Sequence, residues 1–328
     1  MKSRTTRRLG FTLVEILMTM TLSATVGLIV IQIIQQILFM TTKSSNYTLA
    51  WERGQNVLSI LDPRISHVAF GIPYERVGDL FQKSFGGVPG KNDGPPPSKW
   101  SDRGPVQIWR GKTLDSPSLW DLAPETDGVH RGRGLAVLYA VPSALTVKLA
   151  ENIPLPMDAG VTVTIKLTPK ENLERIGDRL PTTAKNDMRS WVTFPLTGLP
   201  LYTSKYSNSN LTMRIPEGSG LSSTLYPYDE LHYLRAERFQ VKDSTLYSEE
   251  LYTSWTTLEP LLEGVLEMWF EWMPSERRVE AWILATGGGV SFGKSSRPEE
   301  WPTTAPWRAE FEQHDMVVVR KSWLLENL

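Results

Sequence analysis

The sequence predicts an α+β protein: one long N-terminal transmembrane and amphipathic helix, then a mainly antiparallel β-sheet domain. Three observations carry that expectation. Ile16 to Thr42 are 27 consecutive uncharged residues behind a basic leader. Beyond Thr42, apolar side chains recur at three- and four-residue intervals as far as Val68. From Val106 onward, short β-branched and aromatic runs follow one another with no long helical pattern between them, which argues against a parallel α/β sheet.

The first element is a membrane span. At about 1.5 Å per residue, the uncharged stretch is long enough to cross a hydrocarbon layer of about 30 Å. Lys2, Arg4, Arg7 and Arg8 precede it and Lys43 is the first charge after it. Positive charge stays on the cytoplasmic side, so the N-terminus is in and the body out. A secretory signal peptide would be shorter and would end in an A-x-A-like site, and none follows Met40. A plain signal anchor shares the length and the flank, but it leaves Glu15 unexplained at the head of the apolar stretch. A carboxylate in lipid needs compensation. Two routes are open: pairing with a cation on another helix, or snorkelling to the nearby interface.

The helix is expected to continue as an amphipathic extension. Tyr47, Ala50, Trp51, Gly54, Val57, Leu58, Leu61, Ile65 and Val68 form one stripe, with Lys43, Glu52, Arg53 and Asn56 on other faces. Asp62-Pro63 interrupts it, either as the cap and first residue of a new helix or as a kink. Gly27 is a weak point, costing about 1 kcal/mol relative to alanine. Gly71 and Pro73 end the helical reading.

The body begins with a Gly/Pro-rich loop near residues 85–105, too rich in breakers for a core element. Strands are expected at Val106 to Trp109, Leu135 to Val141, Val161 to Leu167, Trp191 to Phe194, Leu231 to Leu234, Phe239 to Val241, Val265 to Trp272, Val279 to Leu284 and Met316 to Arg320. Glu237 to Val241, Lys242-Asp243-Ser244 and Thr245 to Tyr247 read as a hairpin. Trp269, Trp272, Trp282 and Trp255 lie in strand-like runs and read as core. Trp100, Trp120, Trp301 and Trp307 lie near prolines, where they cover the core or meet a sugar or partner.

Net charge is −1, and −5 without residues 1–10, so there is no basic field for nucleic acid. Cysteine is absent, which excludes disulfides, thiolate metal sites and cysteine nucleophiles. His67, His130, His232 and His314 have no zinc-like spacing. His314-Asp315 and Asp229 to His232 read as surface pairs or turn features. Gly287-Gly288-Gly289 lacks the Lys-Ser/Thr of a phosphate loop and reads as a flexible hairpin tip. Lys91 to Gly94 lacks the alternating oxygen ligands of a calcium loop. No catalytic, cofactor or metal site is expected.

The residues Gly10-Phe11-Thr12-Leu13-Val14-Glu15, behind the basic leader, resemble the class III signal of type IV pilins and type II secretion pseudopilins. The resemblance implies a prepilin peptidase cut after Gly10, N-methylation of the new terminal Phe11, and an assembly role for Glu15. A neighbouring subunit's Glu15 would face the cationic amine at Phe11. Val57 to Pro73 looks like the helix exit of PilW-type minor pilins, and Gly134 to Ala140 like their first core strand. Glu259 to Phe270 is similar to a segment shared with J-type pseudopilins, and Val317 to Leu328 to their last strand and tail. Residues 78–129 and 169–190 lie outside the analogy.

The implied organisation is a leader at 1–10, a transmembrane and assembly helix at 11–42, an amphipathic extension at 43–74 and a β-rich domain at 75–328. The implied function is a structural minor pilin or pseudopilin at or near the tip of a filament, assisting its assembly. Its partners would be the prepilin peptidase, other pilins through the helix, and the bacterial inner membrane. It would then face the periplasm or cell surface. A pilus-borne adhesin or ligand-binding module is the alternative, and a signal-anchored periplasmic enzyme a lesser one.

Overall fold

The computed structural model describes residues 12–71, 105–110, 126–146, 157–158, 160, 162–166, 191–196, 198–207, 210–214, 222–226, 229–250, 258–290 and 294–327. The chain is α+β. One helix, α1 (Leu13–Ser66), precedes the strands β1 (Val106–Trp109), β2 (His130–Gly132), β3 (Gly134–Thr146), β4 (Met157–Asp158) and β5 (Thr162–Lys166). Then come β6 (Trp191–Phe194), β7 (Leu199–Ser207), β8 (Asn210–Arg214), β9 (Ser222–Ser223) and β10 (Glu230–Lys242). The chain continues through β11 (Thr245–Glu250), β12 (Glu259–Glu263), β13 (Val265–Met273), β14 (Arg278–Val290) and β15 (His314–Leu324).

Helix α1 runs without a break through both residues expected to weaken it. Gly27 is helical, and Pro63 lies inside the last turn rather than opening a second helix. An interior proline sacrifices a backbone hydrogen bond and strains the turn before it, by about 3 kcal/mol or more. Asp62 does not cap anything. Its carboxylate accepts from Trp323 Nε1 at 2.7 Å and from Lys321 Nζ, both on β15, and these ties hold the turn in place. The helix ends at Ser66, short of the expected Gly71, and Ala69 and Gly71 turn the chain with positive φ.

The strands form a nine-stranded sheet, a four-stranded sheet and a two-stranded ribbon, all antiparallel among the described residues. The larger sheet runs β1-β3-β10-β6-β7-β8-β5, with β11 on β10 and β12 on β11. The smaller runs β15-β14-β13-β2. The hairpin falls where the sequence places it, with Lys242 opposite Thr245. Asp243 and Ser244 both take positive φ, as a two-residue type I′ turn demands.

Leu231–Leu234 and Phe239–Val241, expected as separate strands, are one strand. The intervening Arg235, Glu237 and Arg238 mask the apolar pattern, but each charge is matched: Arg235 by Glu250, Arg64 by Glu237, and Arg238 by Glu249. β2, β4, β7, β8, β9 and β12 were not expected. β7 and β8 are rich in Ser, Thr, Lys and Asn, which hides a strand signal in the sequence, and β12 holds Pro260.

Alternation along β14 sorts the two faces of the smaller sheet. Val279, Ala281 and Ile283 join a core shared with α1, β1, β3 and β10. Trp282 and Leu284 face the other way and are covered by Trp301, Ala305, Phe311 and Trp307 from the segment before β15. The expected core tryptophans Trp269, Trp272 and Trp282 are buried, whereas Trp255 lies outside the described residues. Trp301, read as a loop tryptophan, is 2 % exposed, with Nε1 donating to Pro306 O at 3.2 Å, so it covers the sheet. Trp100, Trp120, Lys91 to Gly94 and almost all of the Gly/Pro-rich loop lie outside the described residues.

Candidate functional site

The candidate site is α1 itself, and it has three parts: its start, its bare span and the collar where it meets the body. At the start, Thr12 is the N-cap and Glu15 the third helical residue. Glu15 N donates to Thr12 Oγ1 at 3.3 Å, and Thr12 N and Oγ1 each donate to Glu15 Oε2 at 2.9 Å. This reciprocal capping box satisfies two orphan donors and sets the carboxylate against the positive end of the helix. Gly10 and Phe11 lie outside the described residues. Among the described residues no cation pairs with Glu15, and its partner is Thr12. The pattern Thr-x-x-Glu ahead of an apolar run was the sequence signal for this cap, and it passed unread.

From Leu13 to Ser45 every residue is exposed. The span contains an 18-residue window of mean hydropathy 2.0, none of it buried within the protein, so the helix is long and apolar enough to cross a membrane. Polar side chains inside it turn back on the backbone. Thr25 donates to Thr21 O at 2.7 Å, Thr41 to Ile37 O at 2.8 Å and Thr42 to Leu38 O at 2.9 Å.

The body begins at Asn46. Its Nδ2 donates to Asp315 Oδ2 at 3.2 Å, and its backbone lies on Gly287, where any Cβ would overlap it. Here the expected flexible tip is corrected: Gly287–Gly289 lie inside β14, at a bulge against β15, and are small because the helix crosses them. Gly288 also needs φ +94. Arg53 follows one to two turns later, with Nη1 donating to Thr286 O at 2.6 Å.

Farther along, Gly54 rests on Val319 and Ala285, and Asp62 reaches Lys321 and Trp323. The stripe of Ala50, Gly54, Val57, Leu58, Leu61 and Ile65 is buried as expected. Tyr47 and Trp51 remain 39 % and 51 % exposed, because each sits at the side of the contact. The side-chain donors Lys321 and Trp323 hold Asp62 below its ordinary pKa, against a weak effect of burial. Arg64 at the helix end donates to Glu237 at 2.6 Å, and Tyr139 donates to the same oxygen at 2.9 Å.

The acid and histidine pairs are packed into the body. Asp315, read as a surface residue, is buried and takes the Asn46 amide. His232, also read as surface, is buried against Phe70, with ring centroids 5.1 Å apart and Glu230 at 3.6 Å. Burial lowers its pKa, against the opposing pull of Glu230. Glu267 is 1 % exposed between Arg133, at 2.5 Å, and Arg308, at 3.3 Å. Burial raises its pKa and the two guanidiniums pull it back. Among the described residues no group of three His, Asp or Glu could hold a metal ion. Compared with protein-family models, curated proteins and solved structures, the chain finds no match.

Proposed function

We propose that the chain is a minor pilin or pseudopilin of PilW type, cut by a prepilin peptidase after Gly10, N-methylated at Phe11, and built through its helix into a type IV pilus or type II secretion pseudopilus. One observation supports this above the others. A single helix leaves its first half bare and apolar and lays its second half on an antiparallel sheet, directly behind the motif Gly10 to Glu15. The bare half anchors the subunit in the bacterial inner membrane until assembly, with the body on the far side. In the filament the bare halves pack together, and Glu15 exchanges its Thr12 cap for the new amine of a neighbouring Phe11. A carboxylate in lipid gains from such pairing and suffers when the partner is removed. The large body suits a tip or initiating position, where it need not repeat.

Mass spectrometry of the mature N-terminus tests the reading: it expects a chain beginning at methylated Phe11. A chain that retains Met1 to Gly10 in cells with an active prepilin peptidase would overturn it. Glu15→Ala is expected to leave membrane insertion intact and to abolish recruitment into the filament complex, measured by co-purification with partner subunits.

A further inference from the structure

Three carboxamides sit inside the bare span, and nothing among the described residues satisfies them. Thr19, Thr21, Thr25, Thr41 and Thr42 all donate to carbonyls one turn back. Gln32, Gln35 and Gln36 are exposed and have no hydrogen-bond partner among the described residues. Ser23 has none either, but it lies on the opposite side, and a lone hydroxyl can turn back as the threonines do. With the uncharged span centred in the bilayer, all three glutamines fall within about 10 Å of its midplane. An unmade hydrogen bond there is costly, and glutamines in spanning helices characteristically bond across to another helix.

The three occupy one face. At 3.6 residues per turn, Gln35, Gln32 and Gln36 fit in an arc of about 100°, and Glu15 points about 100° away from Gln32. Gln36 lies about 60° from Glu15, so the glutamine face adjoins the one that carries Glu15 and is centred about 110° from it. Its continuation is occupied. Eighteen residues make five turns, so Gln32 lies directly below Ala50 and Gln36 below Gly54, both buried in the body. The body overhangs the glutamine face, starting at Asn46, about 6 Å beyond the last residue of the uncharged span.

We propose that Gln32, Gln35 and Gln36 dock a spanning helix of a different protein, one that ends at the membrane surface under the body and carries a hydrogen-bonding side chain at their depth. A second copy of this chain does not fit this face. In a parallel pair at equal depth, its own helix would continue upward into the volume of β14 and β15. A carboxamide both donates and accepts, so Ser, Thr, Asn, Gln or His on the incoming helix serves. The inference rests on the reading that α1 crosses the membrane.

The test uses the full-length protein in phosphatidylcholine vesicles, with a dye on Ser44→Cys, a unique thiol in a cysteine-free chain. The probe is a leucine-rich spanning peptide with one Gln at matching depth and an acceptor dye, and energy transfer reads association. The Gln peptide is expected to bind about fivefold more tightly than an all-leucine control. Gln32→Leu with Gln36→Leu should remove that difference while the protein stays in the vesicles. A Gln peptide prolonged beyond the surface by a rigid Ala/Glu/Lys helix should also lose it, because the overhang blocks it.

Equal binding of the Gln and leucine peptides overturns the proposal, as does full binding of the prolonged peptide. So does Gln-dependent transfer between copies of the chain without peptide. Alkaline extraction separates the failures. Protein that leaves the vesicles breaks the spanning reading itself, whereas protein that stays without Gln-dependent binding breaks only this inference.

Discussion

The two halves of α1 share one hydrogen-bond ladder and have opposite surroundings. From Leu13 to Ser45 the helix is densest in Ile, Leu and Met and buries none of them in the protein. From Asn46 to Ser66 it is mixed in composition, and close approaches are made by the Asn46 backbone to Gly287 and by Gly54 to Val319. The contrast teaches that apolar density marks the solvent a helix is built for, whereas small residues mark where backbones meet. The first half is left bare by the protein, and the second is covered by β14 and β15.

Large-to-small changes separate the halves most. Leu61→Ala, fully buried, should destabilise the body by about 3 kcal/mol, and Ile31→Ala by almost nothing, both measured by denaturant unfolding of detergent-solubilised protein. Equal effects would erase the distinction. Next come the glycines. Gly287→Ala drives a methyl into the Asn46 backbone and should cost about 2 kcal/mol, whereas Gly27→Ala meets nothing within 4 Å and should leave the unfolding midpoint of the body unchanged.

Acid sharpens the picture at the far anchor. The Asp62 carboxyl is held below its unfolded pKa of about 3.8, so its contribution is complete above that value and fades as pH falls through the lowered folded one. Asp62→Asn should therefore flatten the acid limb of the stability curve, read by tryptophan fluorescence. The smallest effect belongs to the helix start. Thr12→Ala removes the cap at about 1 kcal/mol of local helix stability, visible as faster amide exchange at residues 13–16 with no change in unfolding of the body.

Much of this was legible in the sequence. Apolar spacing gave the buried stripe, β-branched and aromatic runs gave β1 and β6 to the residue, and turn chemistry gave the Asp243-Ser244 hairpin. The misreadings share one cause: a local signal was outweighed by a distant partner. Of the two readings open for Pro63, a new helix fails and a continuous one holds, with Lys321 and Trp323 fastening the residue before it. β10 stays whole because its charges find Glu249, Glu250 and Arg64. Gly287–Gly289 look flexible until a helix 240 positions earlier presses on them. Of the candidate site, the motif around Glu15 was visible and the Thr12 cap was legible in Thr-x-x-Glu but unread, whereas the collar at Asn46 needed coordinates.

The pairs Asn46/Asp315, Gly54/Val319 and Asp62/Trp323 put β15 alongside the helix, running in the same direction. Sixteen helical steps rise about 24 Å and eight strand steps about 26 Å, so the two elements keep pace over the whole contact. A pull along the rod therefore loads all three rivets at once, in shear, instead of peeling them one after another. Traction on an anchored subunit would reach the body through its final strand, and the linkage would give way abruptly rather than by gradual slip.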